Sequence, residues 1–532
     1  MSESVDVLIV GAGFAGLRAL YTLREQGLRA TVLEASADVG GVWYHNQYPG
    51  ARCDVESYDY SYSFSPALEQ EWCWTERYAT QPEILKYINH VAERFDLRRD
   101  IRFNTRMASA TYDADRARWH VVAADGREWH AQYLIMAVGQ LSSPKPTTYP
   151  GQDQFAGRII YSAQWPHEHI DFTGKSVAII GTGSSGVQMT PVIARQARRL
   201  TVFQRTANYS IPAANAPVTQ DEDRTVKSNY AERRQRARNS PSGLGFVPNS
   251  QSALDVPEDD RVRTFEAAWN RLGFGFALAY KDILLNQESN DTAVAFIHAK
   301  IAELVPDPVL REKLTPQGFP FASRRPSVDS GFYQTFSRDN VELVDIRATP
   351  IEAITPDAIR TSAKDYPVDI LIYATGFDAF TGSLLKPQIT GRDGTTLQAS
   401  WSAGPRTYLG LGVAQFPNLF IICGPGSPSL LSNVLLSTEE QVDWLASLIS
   451  HCAQNGLNEI EVTDTAQADW VVHVNERSLE TLYPKAQSYY MGAEMPGKPQ
   501  VFMPYSGGVR GYRRILQDVA KRDYAGFVLR QV

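Results

Sequence analysis

Two glycine-rich turns in the sequence have the residue types and the spacing that hold the pyrophosphate of a dinucleotide. In the first turn, Gly11, Gly13 and Gly16 directly follow a short apolar run. The first glycine permits a tight turn, the second lets the backbone approach the pyrophosphate, and the third permits close packing of the following helix, whose N–H groups face the phosphates. Glu34 ends the next apolar run, where a carboxylate accepts the ribose hydroxyls and repels a 2′-phosphate. This turn predicts FAD or NAD rather than NADP.

The second turn repeats the pattern with the opposite charge. Gly181, Gly183 and Gly186 follow an apolar run, and the place of the acid is taken by Arg205, with Thr206 after it. A guanidinium suits a 2′-phosphate through charge-assisted, often bidentate hydrogen bonds, and the threonine hydroxyl can add another. The second turn predicts NADPH rather than NADH. The alternative is that this arginine ends an ordinary surface strand.

The cysteines limit the classes of redox enzyme to which the chain could belong. Cys53, Cys73, Cys423 and Cys452 show no CxxC spacing, so we expect neither a metal site nor a disulfide framework. A flavin disulfide reductase needs a redox pair near the flavin, and Cys53 has no partner close by in the sequence. The classes of flavoprotein that remain, in which NADPH reduces a bound flavin, are the reductases and the monooxygenases. A reduced, cytoplasmic protein is the expected setting.

Bulk composition excludes other classes of protein. The formal net charge of −7 argues against nucleic acid as a partner, because phosphate binding needs a basic surface. No run of about 18 apolar residues is present, so we expect no membrane-spanning segment. A chain of 532 residues is too long for one ordinary core and predicts two or more domains.

The positions of the two turns set the expected architecture. Each turn lies between a short apolar strand and a helix with apolar residues at helical spacing. We predict an α/β fold with two Rossmann-like dinucleotide-binding domains and a helical insert. The FAD-binding domain is assigned to residues 1–140 and 380–532, the NADPH-binding domain to 150–212 and 325–379, and the helical insert to 213–324.

Six segments resemble the type I Baeyer–Villiger monooxygenases and follow the family's order over nearly the whole chain. They are GGVWYHNQYPGARCDVESYDYSYSF (40–64), FAGRIIYSAQWP (155–166), FQRTANYSIP (203–212), SRRPSVDSGFYQTFSRDNV (323–341), LIYATGFDAFTG (371–382) and GKPQVFMPYSGGV (497–509). This set is far more specific than either glycine turn alone.

The resemblance implies a reaction and its partners. In this family NADPH reduces FAD, the reduced flavin and O2 give a C4a-peroxyflavin, and the peroxide attacks a ketone to yield an ester or a lactone plus water and NADP+. Sulfides are a further substrate class. We expect a small-molecule ketone and O2 as partners, and a monomer or a weak oligomer.

Arg325 and Asp54 are the catalytic residues that the resemblance implies. An always-charged guanidinium above the flavin stabilises the anions of the reaction, and the carboxylate orients it. From the residues alone, the alternatives are that Arg325 is a surface arginine beside Pro326 and that Asp54 caps a helix or a turn.

The same resemblance assigns further residues to cofactors and substrate. They are Val42, Trp43 and Tyr60 along the flavin, Arg52 on the nicotinamide side, Ser184 and Ser185 at the NADPH pyrophosphate, Arg324 with Arg205 at the 2′-phosphate, Tyr489 at the bound nicotinamide cofactor, and Leu430, Leu431 and Val434 in the substrate pocket. Without the resemblance, the aromatic side chains and the leucines read as core, and the serines as helix starters.

The sequence departs from the family pattern at two tyrosines. Tyr161 stands where the motif has histidine, and Tyr489 stands where the family has tryptophan. A phenol with a pKa near ~10 does not act as an imidazole at neutral pH, so we expect the role of Tyr161 to be conformational. Tyrosine at position 489 still offers an aromatic ring and a hydrogen-bond donor. We expect the retention of NADP+ and the coupling of NADPH oxidation to oxygen insertion to differ from those of relatives with tryptophan.

Three other functions compete with this assignment. A related flavin monooxygenase that oxygenates nitrogen or sulfur shares both glycine turns and an ATG segment, but lacks the run from Gly40 to Asp54. An NADPH dehydrogenase that uses flavin only for electron transfer does not need Arg325 and Asp54. A flavin-binding protein without catalysis would show no ketone-stimulated oxidation of NADPH.

Overall fold

The structure is a computed structural model that describes residues 2–245, 249–271 and 273–532. Its strands are β1 (Glu3–Val10), β2 (Ala30–Leu33), β3 (Ile101–Arg102), β4 (Met107–Asp113), β5 (Arg118–Ala123), β6 (Glu128–Met136), β7 (Arg158–Tyr161), β8 (Ser176–Ile180), β9 (Arg199–Gln204), β10 (Ser210–Pro212), β11 (Ser327–Asp329), β12 (Val341–Asp345), β13 (Ile351–Ile354), β14 (Ala358–Thr361), β15 (Asp365–Pro367), β16 (Ile370–Tyr373), β17 (Gln388–Thr390), β18 (Leu419–Ile421), β19 (Glu459–Val462) and β20 (Phe527–Arg530).

The α-helices surround these strands. They are α1 (Phe14–Glu25), α2 (Val42–His45), α3 (Pro66–Glu71), α4 (Gln81–Arg94), α5 (Ser184–Ala194), α6 (Gln220–Ser228), α7 (Tyr230–Asn239), α8 (Glu258–Trp269), α9 (Gln287–Leu304), α10 (Pro308–Leu314), α11 (Phe332–Thr335), α12 (Gly382–Leu385), α13 (Leu397–Ser400), α14 (Val434–Gln454), α15 (Asp464–Leu479) and α16 (Gly508–Lys521). Among the described residues, no helix is long and apolar enough to cross a bilayer.

The first sheet has eight strands and places the first glycine turn at its centre. Its order is β17-β4-β5-β6-β1-β2-β3, with β18 paired to β6. β1 is parallel to both β2 and β6, and Val7, Leu8 and Ile9 have no exposed surface. Because both faces of this parallel strand are covered in its second half, Val7 to Val10 form a continuous apolar run and do not alternate with polar residues.

The second sheet has five parallel strands in the order β12-β9-β8-β16-β7. All five residues of β8 are buried, and this central strand leads into the second glycine turn. With the first sheet, this topology confirms the predicted α/β class with two Rossmann-like cores.

The helices α6 to α10 lie between β10 and β11, which pair in parallel. Aromatic side chains of the segment that contains these helices pack on one another, as Phe265 does on Phe276 with ring centroids 5.5 Å apart. Those rings belong to the same hydrophobic cluster as Val177 and Ile179 of β8. The helical segment therefore shares its core with the second sheet.

The domain boundaries remain a proposal, and the strand membership supports it. The first sheet takes its strands from the ranges 3–136 and 388–421, and the second from 158–204 and 341–373.

Candidate active site

Both glycine turns lie at the carboxyl ends of central strands and are closed in the same way. Gly11 and Gly181 have φ values of +103° and +114°, a region that favours glycine. A Cβ atom on Gly16 would lie 1.8 Å from the Gly11 carbonyl oxygen, and one on Gly186 would lie 2.1 Å from that of Gly181. The third glycine of each turn is required because helix and turn are in direct backbone contact.

The helices that follow the turns begin with exposed backbone donors. Gly13 caps α1 and Gly183 caps α5, and neither helix has a side-chain cap or an acidic residue in its first turn. Ser184 and Ser185 are the first two residues of α5. Uncapped N–H groups and the partial positive charge of a helix N-terminus suit a pyrophosphate.

Glu34 follows β2 and is held at the first turn by two backbone donors. The N–H groups of Ala12 and Ser36 donate to its two carboxylate oxygens, each at 2.7 Å. The side chain is buried. A fixed carboxylate at this position fits a ribose whose hydroxyls donate, as in FAD.

One cavity of about 1320 Å³ connects the two turns. It exceeds the roughly 300–1000 Å³ of a pocket for one drug-sized ligand, so it has room for two cofactors. Its walls bring together most of the predicted site residues, namely Gly11, Gly13, Glu34, Val42, Trp43, Arg52, Asp54, Tyr60, Gly183, Ser184, Ser185, Arg205, Thr206, Arg324, Arg325, Leu430, Val434 and Tyr489. Gly16 and Gly186 lie behind the turns.

Arg325 and Asp54 form a two-pronged ion pair on the wall of this cavity. Arg325 Nε donates to Asp54 Oδ2 at 2.7 Å, and Nη2 donates to Oδ1 at 2.8 Å. Burial alone would raise the pKa of Asp54, but the charge and hydrogen bonds of Arg325 outweigh burial and lower that pKa. Burial lowers the pKa of Arg325, and the Asp54 carboxylate more than offsets this, so that pKa is raised. Both groups are charged at neutral pH.

The loop after Gly426 supplies a further partner for this arginine. Arg325 Nη1 donates to the Leu430 carbonyl at 2.6 Å. The preceding residue, Ser429, has φ +45°, a left-handed conformation that is strained for serine. Val434 and Leu430 line the cavity, whereas Leu431 packs against the core and is not among the lining residues. The Leu430 carbonyl was not predicted, because a main-chain acceptor leaves no signal in the sequence.

Aromatic side chains form the part of the wall nearest Arg325. Trp43 Nε1 donates to the Tyr60 hydroxyl at 3.1 Å, which fixes both rings. Tyr489 packs on Tyr490 with ring centroids 4.5 Å apart. Burial raises the pKa of Tyr489 well above its ordinary value, so this phenol stays neutral.

Four cations gather near the end of β9. Arg205 and Arg324 were predicted, and Arg347 and Lys145 were not. Arg347 Nη2 donates to Thr206 Oγ1 at 2.8 Å. Burial and the nearby charge of Arg205 lower the pKa of Lys145. Arg347 had a signal in the sequence, since it follows the apolar, strand-like run VELVDI (341–346) at the edge where parallel strands end.

Two other predicted residues have partners that limit their roles. Arg52 Nη1 donates to Glu76 Oε2 at 2.8 Å and to the Tyr78 carbonyl at 2.9 Å. This nitrogen of the guanidinium is therefore already hydrogen-bonded within the protein. Tyr161 stacks on Tyr373 at 5.0 Å in the second sheet and is not among the residues that line the cavity. This placement supports a conformational role for Tyr161.

Comparisons with known proteins agree with this geometry. Residues 4–215 match the family described as flavin-binding monooxygenase-like. A Baeyer-Villiger monooxygenase of Pseudooceanicola batsensis is 40% identical over 531 residues, which covers 98% of this chain and 96% of the relative. A phenazine N-monooxygenase of Lysobacter antibioticus is 37% identical over 529 residues, which covers 98% and 97%.

Solved structures extend the likeness to three dimensions. An oxidized steroid monooxygenase bound to NADP is 50% identical and has a TM-score of 0.96, covering 99% of this chain and 100% of that one. Other solved neighbours hold FAD and NADP together.

Proposed function

The chain belongs to the Baeyer–Villiger monooxygenases of the flavin-binding monooxygenase-like family, and from that premise we propose that Arg325, held by Asp54, is the residue that stabilises negative charge during oxygen insertion. The enzyme uses FAD and NADPH to convert a ketone into an ester or a lactone. The predicted family, reaction and cofactors are confirmed; the roles of individual residues are proposals.

The ion pair between Arg325 and Asp54 is the observation that carries the proposal. A guanidinium held by two parallel hydrogen bonds keeps one orientation, and its charge needs no reorganisation when negative charge develops on oxygen. The pair lines the same cavity as residues of both glycine turns. An electron-transfer flavoprotein has no need of such a group at this place.

The remaining residues bind, orient and exclude water. The turn amides and Glu34 would hold FAD, and the α5 N-terminus with Arg205 and Arg324 would hold NADPH. Bound FAD, reduced by NADPH, would supply the electrons that activate O2 for transfer of one oxygen atom to the ketone. The hydrogen-bonded pair of Trp43 and Tyr60 closes one side of the site to solvent.

The walls favour a hydrophobic ketone. Leu430 and Val434 contribute apolar surface, and the Leu430 carbonyl is occupied by Arg325. This apolar surface beside the guanidinium favours a substrate whose affinity comes mainly from its shape and apolar area. We propose small apolar ketones as substrates, and sulfides as a further class.

Transfer of oxygen to nitrogen is a second candidate reaction, because the Lysobacter relative is named for it. That relative covers 98% of this chain, so oxygen transfer to nitrogen is a further activity to test beside the reaction on ketones. The products distinguish the two.

Identification of the product tests the function. The purified yellow protein is mixed with NADPH, 18O2 and panels of apolar ketones, sulfides and heteroaromatic amines. We expect one 18O atom in an ester or a lactone, and NADPH oxidation that the ketone stimulates. N-oxides without esters would favour the second candidate. The same preparation, passed over a sizing column with light scattering, checks the expected monomer or weak oligomer.

A further inference from the structure

A second, smaller cleft lies outside the cofactor cavity, where α7 of the helical segment meets α16. Its volume is about 140 Å³, and the residues that line it are Arg238, Asn239, Arg510, Arg513, Arg514 and Gln517. None of these six residues lines the cofactor cavity. The Val509 N–H donates to the Pro241 carbonyl at 2.9 Å, and Val509 shares a small hydrophobic cluster with Ala237, so the two helices are joined at the cleft.

The four arginines of the cleft have a single carboxylate among them. Arg238 Nε lies 3.4 Å from Glu440 Oε1, and Arg513 Nε lies 3.2 Å from Glu440 Oε2. Arg238 Nη2 also donates to Ser63 Oγ at 3.0 Å. Among the described residues, Glu440 is the one acid at ion-pair distance from any of the four guanidinium groups. Two arginines are therefore held in place, and positive charge remains in excess.

Arg510 and Arg514 carry this excess charge. They lie four residues apart on α16 and so stand on the same face of the helix, where like charges repel. Both are exposed, and over the described ranges of the chain their side chains make no hydrogen bond or ion pair. On a solvated helix face such side chains can spread apart, whereas these two line one cleft.

Two amide side chains complete the wall of the cleft. Asn239 ends α7, Gln517 lies one turn beyond Arg513 on α16, and each carries an NH2 group that can donate two hydrogen bonds. In the part of the chain that the structure describes, neither side chain has a hydrogen-bond partner. Unused donors and unbalanced positive charge around a small cleft are the features that bind an oxyanion.

We propose that this cleft binds a phosphate dianion, either as the free ion or as a phosphomonoester. A planar guanidinium group matches two oxygens of a phosphate at once, and Arg510 and Arg514 are not engaged by a carboxylate. Because the formal net charge of the chain is −7, the attraction comes from this cluster and not from the surface as a whole. A bound phosphate would connect α7 to α16 through its oxygens.

Isothermal titration calorimetry with inorganic phosphate tests the site. The FAD-containing protein is first saturated with NADP+, so that the cofactor cavity cannot take up the added phosphate, and ionic strength is held constant. We expect one phosphate per chain with a Kd of about 1 mM or less. Glycerol 3-phosphate is titrated in parallel. Tighter binding of the ester would assign the site to a phosphomonoester, and tighter binding of inorganic phosphate would assign it to the free ion.

Two variants and a matched control locate the binding. Arg510→Gln and Arg514→Gln should each raise the Kd at least about tenfold, because each removes a charge-assisted hydrogen bond. Lys521→Gln removes a positive charge from the same helix outside the cleft, at a side chain that is 74% exposed, and should leave the Kd unchanged. Thermal unfolding without phosphate checks that all three variants are folded.

Three results would overturn the proposal. The first is weaker or non-saturable binding of both phosphate compounds to the wild-type protein. The second is a wild-type Kd in both arginine variants. The third is an equal loss of affinity in Lys521→Gln and in the arginine variants, because that result would indicate attraction to general surface charge and not to this cleft.

Discussion

The ammonium group of Lys498 donates a 2.8 Å hydrogen bond to the Asp378 carboxylate, directly after the ATGF turn of the second sheet. It also donates to the Ala379 carbonyl at 2.6 Å and to Glu494 Oε1 at 2.9 Å, and its side chain is 9% exposed. All three N–H bonds of the ammonium group are thereby used. Lys498 thereby holds the segment that contains Tyr489 in place at the wall of the cavity.

Replacement of Lys498 should loosen that segment without loss of FAD. Lys498→Met leaves the Asp378 and Glu494 carboxylates without their cation, which is costly for partly buried groups. We expect faster proteolytic cleavage between residues 487 and 498 and about tenfold weaker NADP+ binding. Lys485→Met, at an exposed lysine bonded to Gln287, is the control. If Lys498→Met showed the wild-type rate of cleavage and the wild-type affinity for NADP+, the proposal that Lys498 fixes this segment would be wrong.

Loss of Arg325 should separate flavin reduction from oxygen insertion. Arg325→Ala should still accept hydride from NADPH, while ester formation falls by at least about 100-fold, the typical loss when a preorganised charge stabiliser is removed. Stopped-flow absorbance measures the first step, and product analysis measures the second. Ester formation at the wild-type rate would remove Arg325 from the mechanism.

The ion pair of Asp54 predicts a definite dependence on pH. The pKa of Asp54 is lowered from 3.8 in the folded protein. The stability that the pair contributes is therefore fully present above pH 3.8 and is lost only as the pH falls through the lower folded value. Asp54→Asn should reduce the free energy of unfolding by about 3 kcal/mol, by the same amount at every pH from about 5 to 8. Urea unfolding across that range measures the difference, and a difference that varies with pH would refute the assignment.

The third glycines allow the two cofactor sites to be disabled one at a time. Gly16→Ala should prevent FAD binding, and Gly186→Ala should leave the protein yellow but abolish NADP+ binding, because each added methyl group collides with a carbonyl oxygen. Flavin absorbance and NADP+ titration measure the two effects. Loss of FAD in Gly186→Ala would mean that the sites are not independent.

Tyr489 offers a test of how tightly NADPH oxidation is coupled to oxygen insertion. Its partly buried ring contacts Tyr490 and lies 6.4 Å from Phe380, so the neutral phenol is part of the cavity wall. Tyr489→Trp, which restores the family residue, should retain NADP+ longer and lower the hydrogen peroxide formed per NADPH consumed. Tyr161→His is expected to change this ratio less, since Tyr161 lies in the second sheet outside the cavity. Unchanged peroxide yield in Tyr489→Trp would refute the expected effect on coupling.

The sequence predicted features whose cause is local. A glycine turn between a strand and a helix is encoded by consecutive residues. The charged residue after each turn, Glu34 or Arg205, follows at a fixed distance in the sequence. The family's motifs then indicated Arg325 and Asp54, although 271 positions separate them.

Features that depend on register or on the main chain were not predictable. The contact of Arg347 with Thr206 needs the pairing of β9 with β12, and the acceptor at Leu430 is a carbonyl that any residue could supply. The shared core of the helical insert and the second sheet is a third case, since apolar spacing shows which face of a helix is buried but not against what.

β10 and β11 pair in a two-stranded sheet of their own, so the insert leaves and rejoins the rest of the chain at a single point, as a separate module would. Its aromatic side chains, however, share one hydrophobic cluster with Val177 and Ile179 of β8. Chimeras between relatives that exchange only residues 213–324 would join mismatched surfaces and should be recovered poorly. Exchange of 150–379 as one block keeps both sides of that interface from the same parent, and this longer block is the unit that recombination can move.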